Sequence, residues 1–320
     1  MSTTKDVVPT RDDYLLQAHA ISRGAYAMTV LERRLLYLAM AQVRPQDDEL
    51  PEVRMSAYSA LQALGMSDDG RNYIELKAAV ERLMGRVIVI DRPNGGWLMH
   101  HWVQRAEYEP SDGSLSIRLS DDLAPYVLHM QEQYSVLRVA DLAKLQSKYA
   151  QRWVELVMSR RGQADGQGRW YYELTIAELR HILKLAPGEY GRTGNMRTYV
   201  IELPITEINE AQIGLYLEPE YIRKGKYLHA VRIHCQLVKR GDPVPVQRQR
   251  QEEEAEDAYI SAHQARYDEI LAQIKAQPDL PGTSWASPTM RELAQRAEAL
   301  KRLREETGKR GRGRPRKEGR

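Results

Sequence analysis

The stretch Thr175-IAELRHILKLAPGEYGRTGNMRTYVIELPITEINEAQIGLYLEPEYIRKG-Lys226 decides the fold. Thr175 is placed to cap a short helix over 176–183, and a Gly-punctuated turn follows over 187–194. A second helix is expected over 192–209. Projected at about 100° per residue, Val200, Ile201, Pro204, Ile205 and Ile208 fall on one side of it. Arg192, Asn195, Tyr199, Glu202 and Thr206 fall on the other, with Thr198 at the edge. Pro204 is awkward in that interior, because it removes a backbone donor and kinks a helix. Two strands, 214–218 and 227–238, then flank the basic turn Arg223-Lys224-Gly225-Lys226.

Helix, turn, helix and a hairpin with cations at its tip is the order of a winged helix, which lays its second helix in a DNA major groove and its hairpin on the backbone. The N-terminal half repeats that order. Thr29 caps a core helix over 30–43, with Leu31, Leu35, Leu38 and Ala39 at helical spacing. A short strand over 53–55, a Ser56-capped helix over 57–64 and a turn over 67–71 follow. The next helix, 72–84, buries Leu76, Ala79, Val80 and Leu83 and stops at Gly85. Strands over 86–91 and 97–108 close the hairpin around the turn 92–96. Between the halves, 115–119 reads as a strand and 120–126 and 131–134 as helical or irregular pieces. Residues 142–161 read as one strong helix with Leu145, Tyr149, Trp153, Leu156 and Val157 on its apolar stripe.

The fold class expected is therefore α+β: a disordered segment 1–13, a first winged helix over 14–140 and a second over 141–240. A helical extension over 241–306 and a basic tail over 307–320, disordered when free, complete it. Within the extension, 252–276 is amphipathic, with Ile260, Tyr267, Ile270 and Ile274 along one side, and Ser287-Pro288 opens a helix to about residue 305.

Composition narrows the function. The 320 residues suffice for two ordinary domains. Mean hydropathy is −0.59, no apolar run spans a bilayer, and residues 1–13 carry no signal-peptide pattern, so a cytoplasmic protein without membrane contact is expected. The one cysteine, Cys235, excludes disulfides and Cys-based zinc sites and reads as a small buried hydrophobe. The net charge of +3 hides an asymmetry: residues 301–320 carry +7 and the rest −4. Nucleic-acid binding by the folded part must then come from local patches.

Three such patches stand out. In the 192–209 helix, Arg192 and Asn195 are the choices for base or phosphate contact, with Thr198 and Tyr199 beside them. Arg197 projects towards the core side, yet a long side chain in the first turn can snorkel to a phosphate. Arg223, Lys224 and Lys226 supply the wing. The matching helix of the first half offers Arg71, Lys77 and Arg82, and its acidic neighbours Asp68 and Asp69 make it the poorer reader. The third patch, Arg312-Gly313-Arg314-Pro315-Arg316, is AT-hook-like: its arginines suit the narrow A·T minor groove and its glycine permits close approach. Enzymatic motifs are missing. His100-His101 are adjacent, so they point to opposite faces of a strand and cannot share a metal, and no phosphate-binding loop occurs. No catalytic residue, metal or cofactor is expected.

With these residues in place, the chain resembles the iteron-binding plasmid replication initiators of the RepE and RepA type. The resemblance covers roughly 15–239 and rests on Ala25-Tyr26-Ala27-Met28-Thr29, Arg33-Arg34-Leu35-Leu36-Tyr37, Ser147-Lys148-Tyr149-Ala150-Gln151-Arg152-Trp153 and Glu207-Ile208-Asn209. It implies a monomer that binds direct repeats at a plasmid origin, in equilibrium with a homodimer that represses its own gene. It also implies a host initiator ATPase and the replicative helicase as partners. The alternative is a winged-helix transcriptional repressor without initiator activity. The chain departs from the pattern in carrying Thr198 and Tyr199 where many relatives have basic residues, and Pro204 within the helix.

Overall fold

Thr29, Ser56 and Thr175 start helices where the sequence puts them. In the computed structural model, which describes residues 4–10, 12–241, 255–275 and 288–307, Thr29 and Glu32 form a reciprocal capping box, as do Thr175 and Glu178. Ser56, Asp69 and Ser147 each accept from amides of the helix they precede.

The first winged helix begins earlier than expected. Thr4–Asp6 (β1), within the segment read as disordered, is a strand lying parallel to Glu52–Ser56 (β3). Its ladder continues in Val7 N donating to the Arg54 carbonyl at 2.8 Å, and Lys5 Nζ donates to the Gln42 carbonyl at 2.7 Å. Tyr14–Ala18 (β2) pairs with Tyr134–Arg138 (β8), a strand the sequence reading missed. Helices His19–Arg23 (α1) and Val30–Ala41 (α2) precede β3; Ala57–Ala63 (α3) and Gly70–Met84 (α4) follow it. The segment read as one strand over 97–108 is two. Trp97–His101 (β5) forms a hairpin with Val87–Asp91 (β4), whereas Val103–Glu109 (β6) pairs with Ser114–Leu119 (β7) in a sheet of order β1-β3-β7-β6. The break falls at Trp102, which is fully buried edge-on against Tyr26, centroids 5.0 Å apart. Turning that indole into the core diverts the chain from one partner strand to the other.

After Ala124–Val127 (α5), the expected single helix over 142–161 is also two, Val139–Ala143 (α6) and Lys148–Met158 (α7). Side chains take the carbonyls that a continuing helix would have used. Arg34 Nη2 donates to Ala143 and Leu145 at 2.6 and 2.8 Å, Gln151 Nε2 to Leu142 and Leu145, and the Ser147 hydroxyl accepts from Tyr149 and Ala150. The second half follows as Arg169–Thr175 (β9), Ile176–Ile182 (α8), the segments Thr193–Asn195, Met196–Glu202 and Leu203–Glu210, then Leu215–Lys224 (β10) and Tyr227–Leu237 (β11). Its sheet has the order β10-β11-β9, antiparallel throughout.

One apolar core runs through both halves, from Leu15 and Leu35 through Trp102 and Trp153 to Ile208 and Ile233. Helix α7 joins them. Its Glu155 accepts from Tyr26 Oη (2.5 Å) and Tyr37 Oη and pairs with Arg152, which in turn donates to the Gly24 carbonyl at 2.8 Å. Burial pushes both phenols well above their usual range, so they stay donors. A side chain at Gly24 would displace the buried Ile88, since a Cβ there would lie 2.5 Å from Ile88 Cδ1.

The chain divides into two units at Val244 and Pro245. In the second, helices Gln264–Lys275 and Pro288–Glu306 bury Tyr267, Ile270 and Ile274 with Ala299, Leu300 and Leu303, as the amphipathic stripe foretold. Among the described residues no helix is long and apolar enough to cross a membrane.

Candidate nucleic-acid interface

The three segments from Thr193 to Glu210 form one continuous helix, called here the reading helix, whose middle, Met196–Glu202, is π-helical. This answers the difficulty of Pro204. Proline cannot donate, so the carbonyl of Val200, four residues back, loses the partner an α-helix would provide. Trp153 Nε1 replaces it, donating to Val200 O at 2.8 Å inside the core. The looser winding and the indole together let the proline sit inside the helix.

Met196, Val200, Ile201, Pro204, Ile205 and Ile208 are buried, the apolar face expected plus Met196. The C-terminal end is tied at two points. The Glu207 carboxylate accepts from the Gln146 and Ser147 amides at the start of α7, a position where the helix dipole favours an anion. The Asn209 side chain accepts from Leu217 N and donates to Leu217 O, both at 2.9 Å, like a peptide of a neighbouring strand. The motif Glu207-Ile208-Asn209 thus fixes the helix against α7 and β10.

On the outward face, Arg192, Asn195, Thr198 and Tyr199 are exposed. Arg197 is not free: its guanidinium pairs with Glu202 at 2.7 Å and lies 4.4 Å over the Tyr221 ring, and Tyr221 Oη donates to the same carboxylate at 3.0 Å. The Arg197 hydrogen bond holds the Glu202 carboxyl below its usual range, and burial pushes the Tyr221 phenol up to about 12. This cluster braces the helix against the hairpin. Leu203, which the sequence reading left unassigned, is 54% exposed on the same outward side. Its signal was the spacing of four from Tyr199, visible only once the winding departs from 3.6 residues per turn.

The wing is the end of the β10–β11 hairpin. Lys224 pairs with Tyr227 across Gly225-Lys226, and Gly225 has φ +61°, the left-handed value a tight turn requires. A bulge between Ile222 and Arg223 twists the tip, and Arg223, Lys224 and Lys226 are exposed there. Tyr227, 67% exposed, lies beside them with Lys226 Nζ 5.3 Å from its ring.

The first winged helix presents less. Arg71 is exposed near the start of α4, but Lys77 Nζ sits 4.0 Å over the Tyr108 ring and Arg82 Nε is 2.8 Å from the buried Glu32. Asp69, read as an acidic neighbour, is the N-cap of α4. The β4–β5 turn carries Arg92 alone as a cation, and Asp91 meets His181 of α8 at 2.9 Å. Arg312, Gly313, Arg314, Pro315 and Arg316 lie outside the described residues. Among the described residues, no group of three or more His, Cys, Asp and Glu could hold a metal.

Comparison with known proteins adds to this geometry. The model of the family described as Initiator Replication protein, WH1, matches residues 15–158, and that of Initiator Rep protein, WH2, matches 175–235. The first match takes in α7, beyond the boundary at 140 read from the sequence. The crystal structure of the Pi initiator protein in complex with iteron DNA is similar over 72% of this chain and 99% of that one, at 14% identity and a TM-score of 0.59. At that identity the likeness is one of fold. Domains 2 and 3 of RctB align over 66% of this chain and 83% of that one, at 10% identity and a TM-score of 0.36. The WH1 domain of a replication protein isolated from a multiple sclerosis patient aligns over 31% and 77%, at 21% identity and a TM-score of 0.25.

Proposed function

Because the chain belongs to the family of initiator replication proteins with tandem WH1 and WH2 domains, we propose that it starts plasmid replication by binding repeated DNA at an origin. The observation that carries this reading is the reading helix: a polar outward face over a buried apolar one, followed by a hairpin with three exposed cations at its tip. That is the arrangement that puts a helix in the major groove and a wing on the phosphates.

In this reading Arg192 and Asn195, with Thr198 and Tyr199, meet base edges or phosphates, while Arg223, Lys224 and Lys226 contact phosphates alone. Arg197 leaves Glu202 for a phosphate when DNA arrives. Arg71, Lys77 and Arg82 of the first winged helix add backbone contacts on the adjoining turn of the duplex. The Pi initiator is a protein seen in complex with iteron DNA, which supports repeats of that kind as the target here. The monomer reads the repeats, a homodimer represses the chain's own gene, and the host initiator ATPase and replicative helicase join at opened A·T-rich DNA. The tail Arg312-Gly313-Arg314-Pro315-Arg316 holds that DNA by its minor groove. The work is binding rather than catalysis, carried out in the cytoplasm.

A plasmid whose sole origin is the DNA flanking this gene should replicate in cells supplied with the protein and not in cells without it. Repression of a reporter from that DNA with no replication would leave a repressor and sink the initiator reading.

A further inference from the structure

Leu203 is a large apolar side chain left outside the apolar core. It is 54% exposed, on the outward face of a helix whose inward positions are filled by Met196, Val200, Ile201, Pro204, Ile205 and Ile208. Its position follows from the winding. In an α-helix, residues spaced by four drift about 40° at each step, because a turn holds 3.6 residues. The π-helical segment Met196–Glu202 winds more loosely, so that spacing stays closer to register. Met196, Val200, Pro204 and Ile208 accordingly form an inward row. Asn195, Tyr199 and Leu203, each one residue before a member of that row, form an outward one.

Tyr199, 52% exposed, heads the apolar part of the outward row, and its ring is backed by Tyr190 at 6.2 Å. Tyr190 meets Tyr149 of α7 edge-on at 6.0 Å, so the exposed ring stands on an aromatic column rooted in the core. The winding that aligns Tyr199 with Leu203 is itself held by the Trp153 bond to Val200 O.

Of the groups a base pair presents in the major groove, one is apolar: the 5-methyl of thymine. Arg192 and Asn195 have the chemistry for hydrogen-bonding edges. An outward tyrosine and leucine one turn further along have the chemistry for methyl groups. We propose that Tyr199 and Leu203 are specificity-determining residues that recognise thymine 5-methyl groups within the repeat. This deepens the proposed function and rests on it, since it needs the reading helix to enter the major groove.

The test separates the two. Full-length protein is titrated by fluorescence anisotropy onto a duplex carrying the repeat recovered by selection from a random pool. The same duplex is then built with deoxyuridine for thymine, which pairs identically and lacks only the methyl. The wild-type protein should bind the deoxyuridine duplex about 4- to 15-fold more weakly, the scale of one or two buried methyl groups. Leu203→Ala should lose a similar factor on thymine DNA and lose markedly less than wild type on replacement. Its circular dichroism and Tm should match wild type, because the side chain is exposed. Equal wild-type affinity for the two duplexes, or the same loss in both proteins, would overturn the thymine contact while leaving repeat binding intact. No preference of wild type for the repeat over scrambled DNA would overturn the groove reading and the thymine contact with it.

Discussion

Charged residues in the wrong place for a surface role carry much of this fold. Glu32 has no exposed side-chain area, yet Arg82 Nε and Arg86 Nε each lie 2.8 Å from its oxygens and the Thr29 amide donates to it at 3.2 Å. Burial alone would push its carboxyl up; the hydrogen bonds from Arg86 and Arg82 outweigh it and hold the group below the usual carboxylate range. A depressed folded pKa contributes stability that is complete above the unfolded value and lost as pH falls through the folded one. Glu32→Gln should therefore cost on the order of 1–2 kcal/mol at pH 7, discounted because both arginines reach solvent. In urea denaturation that difference from wild type should shrink below about pH 4; a gap that stays constant to pH 3 would remove the ionised carboxylate from the account. Arg82 thus has a structural post beside the DNA contact proposed for it. Arg33 and Arg34 are similar: both are buried, donating to carbonyls of Lys148, Ala143 and Leu145. Their sequence position between leucines identified the helix, but their partners lie more than a hundred residues away, where no local pattern points.

At the scale of elements, capping residues and hydrophobic period made the order of helices and hairpins legible, and α4 and the 193–210 helix fall within two residues of where those signals put them. What stayed hidden depends on distant partners. Strands β2 and β8 are five residues each and, among the described residues, form a two-stranded sheet, so neither offers a long alternating run. The breaks at Trp102 and before Ser147 come from an indole and an arginine drawn into the core. The π-winding before Pro204 is matched by the Trp153 indole on Val200 O, a donor that a place on an apolar stripe does not reveal. The outward residues of the reading helix were mostly legible, because polar face and apolar face separate at helical spacing; Leu203 was not, because that spacing changes within the helix. The wing was legible from three cations and a glycine. Lys224→Ala with Lys226→Ala should weaken binding to all sequences alike and reduce the slope of log affinity against log salt by about two, one unit for each phosphate contact removed. An unchanged slope would take the wing off the backbone.

At the scale of the whole molecule, the chain combines one core shared by two winged helices with a charge imbalance along its length. The residues before 301 carry −4, so long-range attraction to DNA must come from the +7 of 301–320. Removing residues 308–320 should lower affinity chiefly for A·T-rich duplexes, measured against G·C-rich duplexes of equal length at one salt concentration. An equal loss on both would reduce the tail to a generic cation. The shared core has a second consequence: α7, packed under the reading helix through Trp153 and under the first winged helix through Arg152 and Glu155, joins the two halves in one compact unit.

The central claim is that the second winged helix reads repeated DNA. Hydroxyl-radical footprinting on the DNA flanking this gene tests it most directly, with the wild-type protein beside Arg192→Ala/Asn195→Ala, whose exposed positions leave the fold untouched. The expected result is a series of protected patches at a regular interval near whole helical turns, all lost in the double variant. Uniform cleavage with wild type, or the same series with the variant, would contradict it.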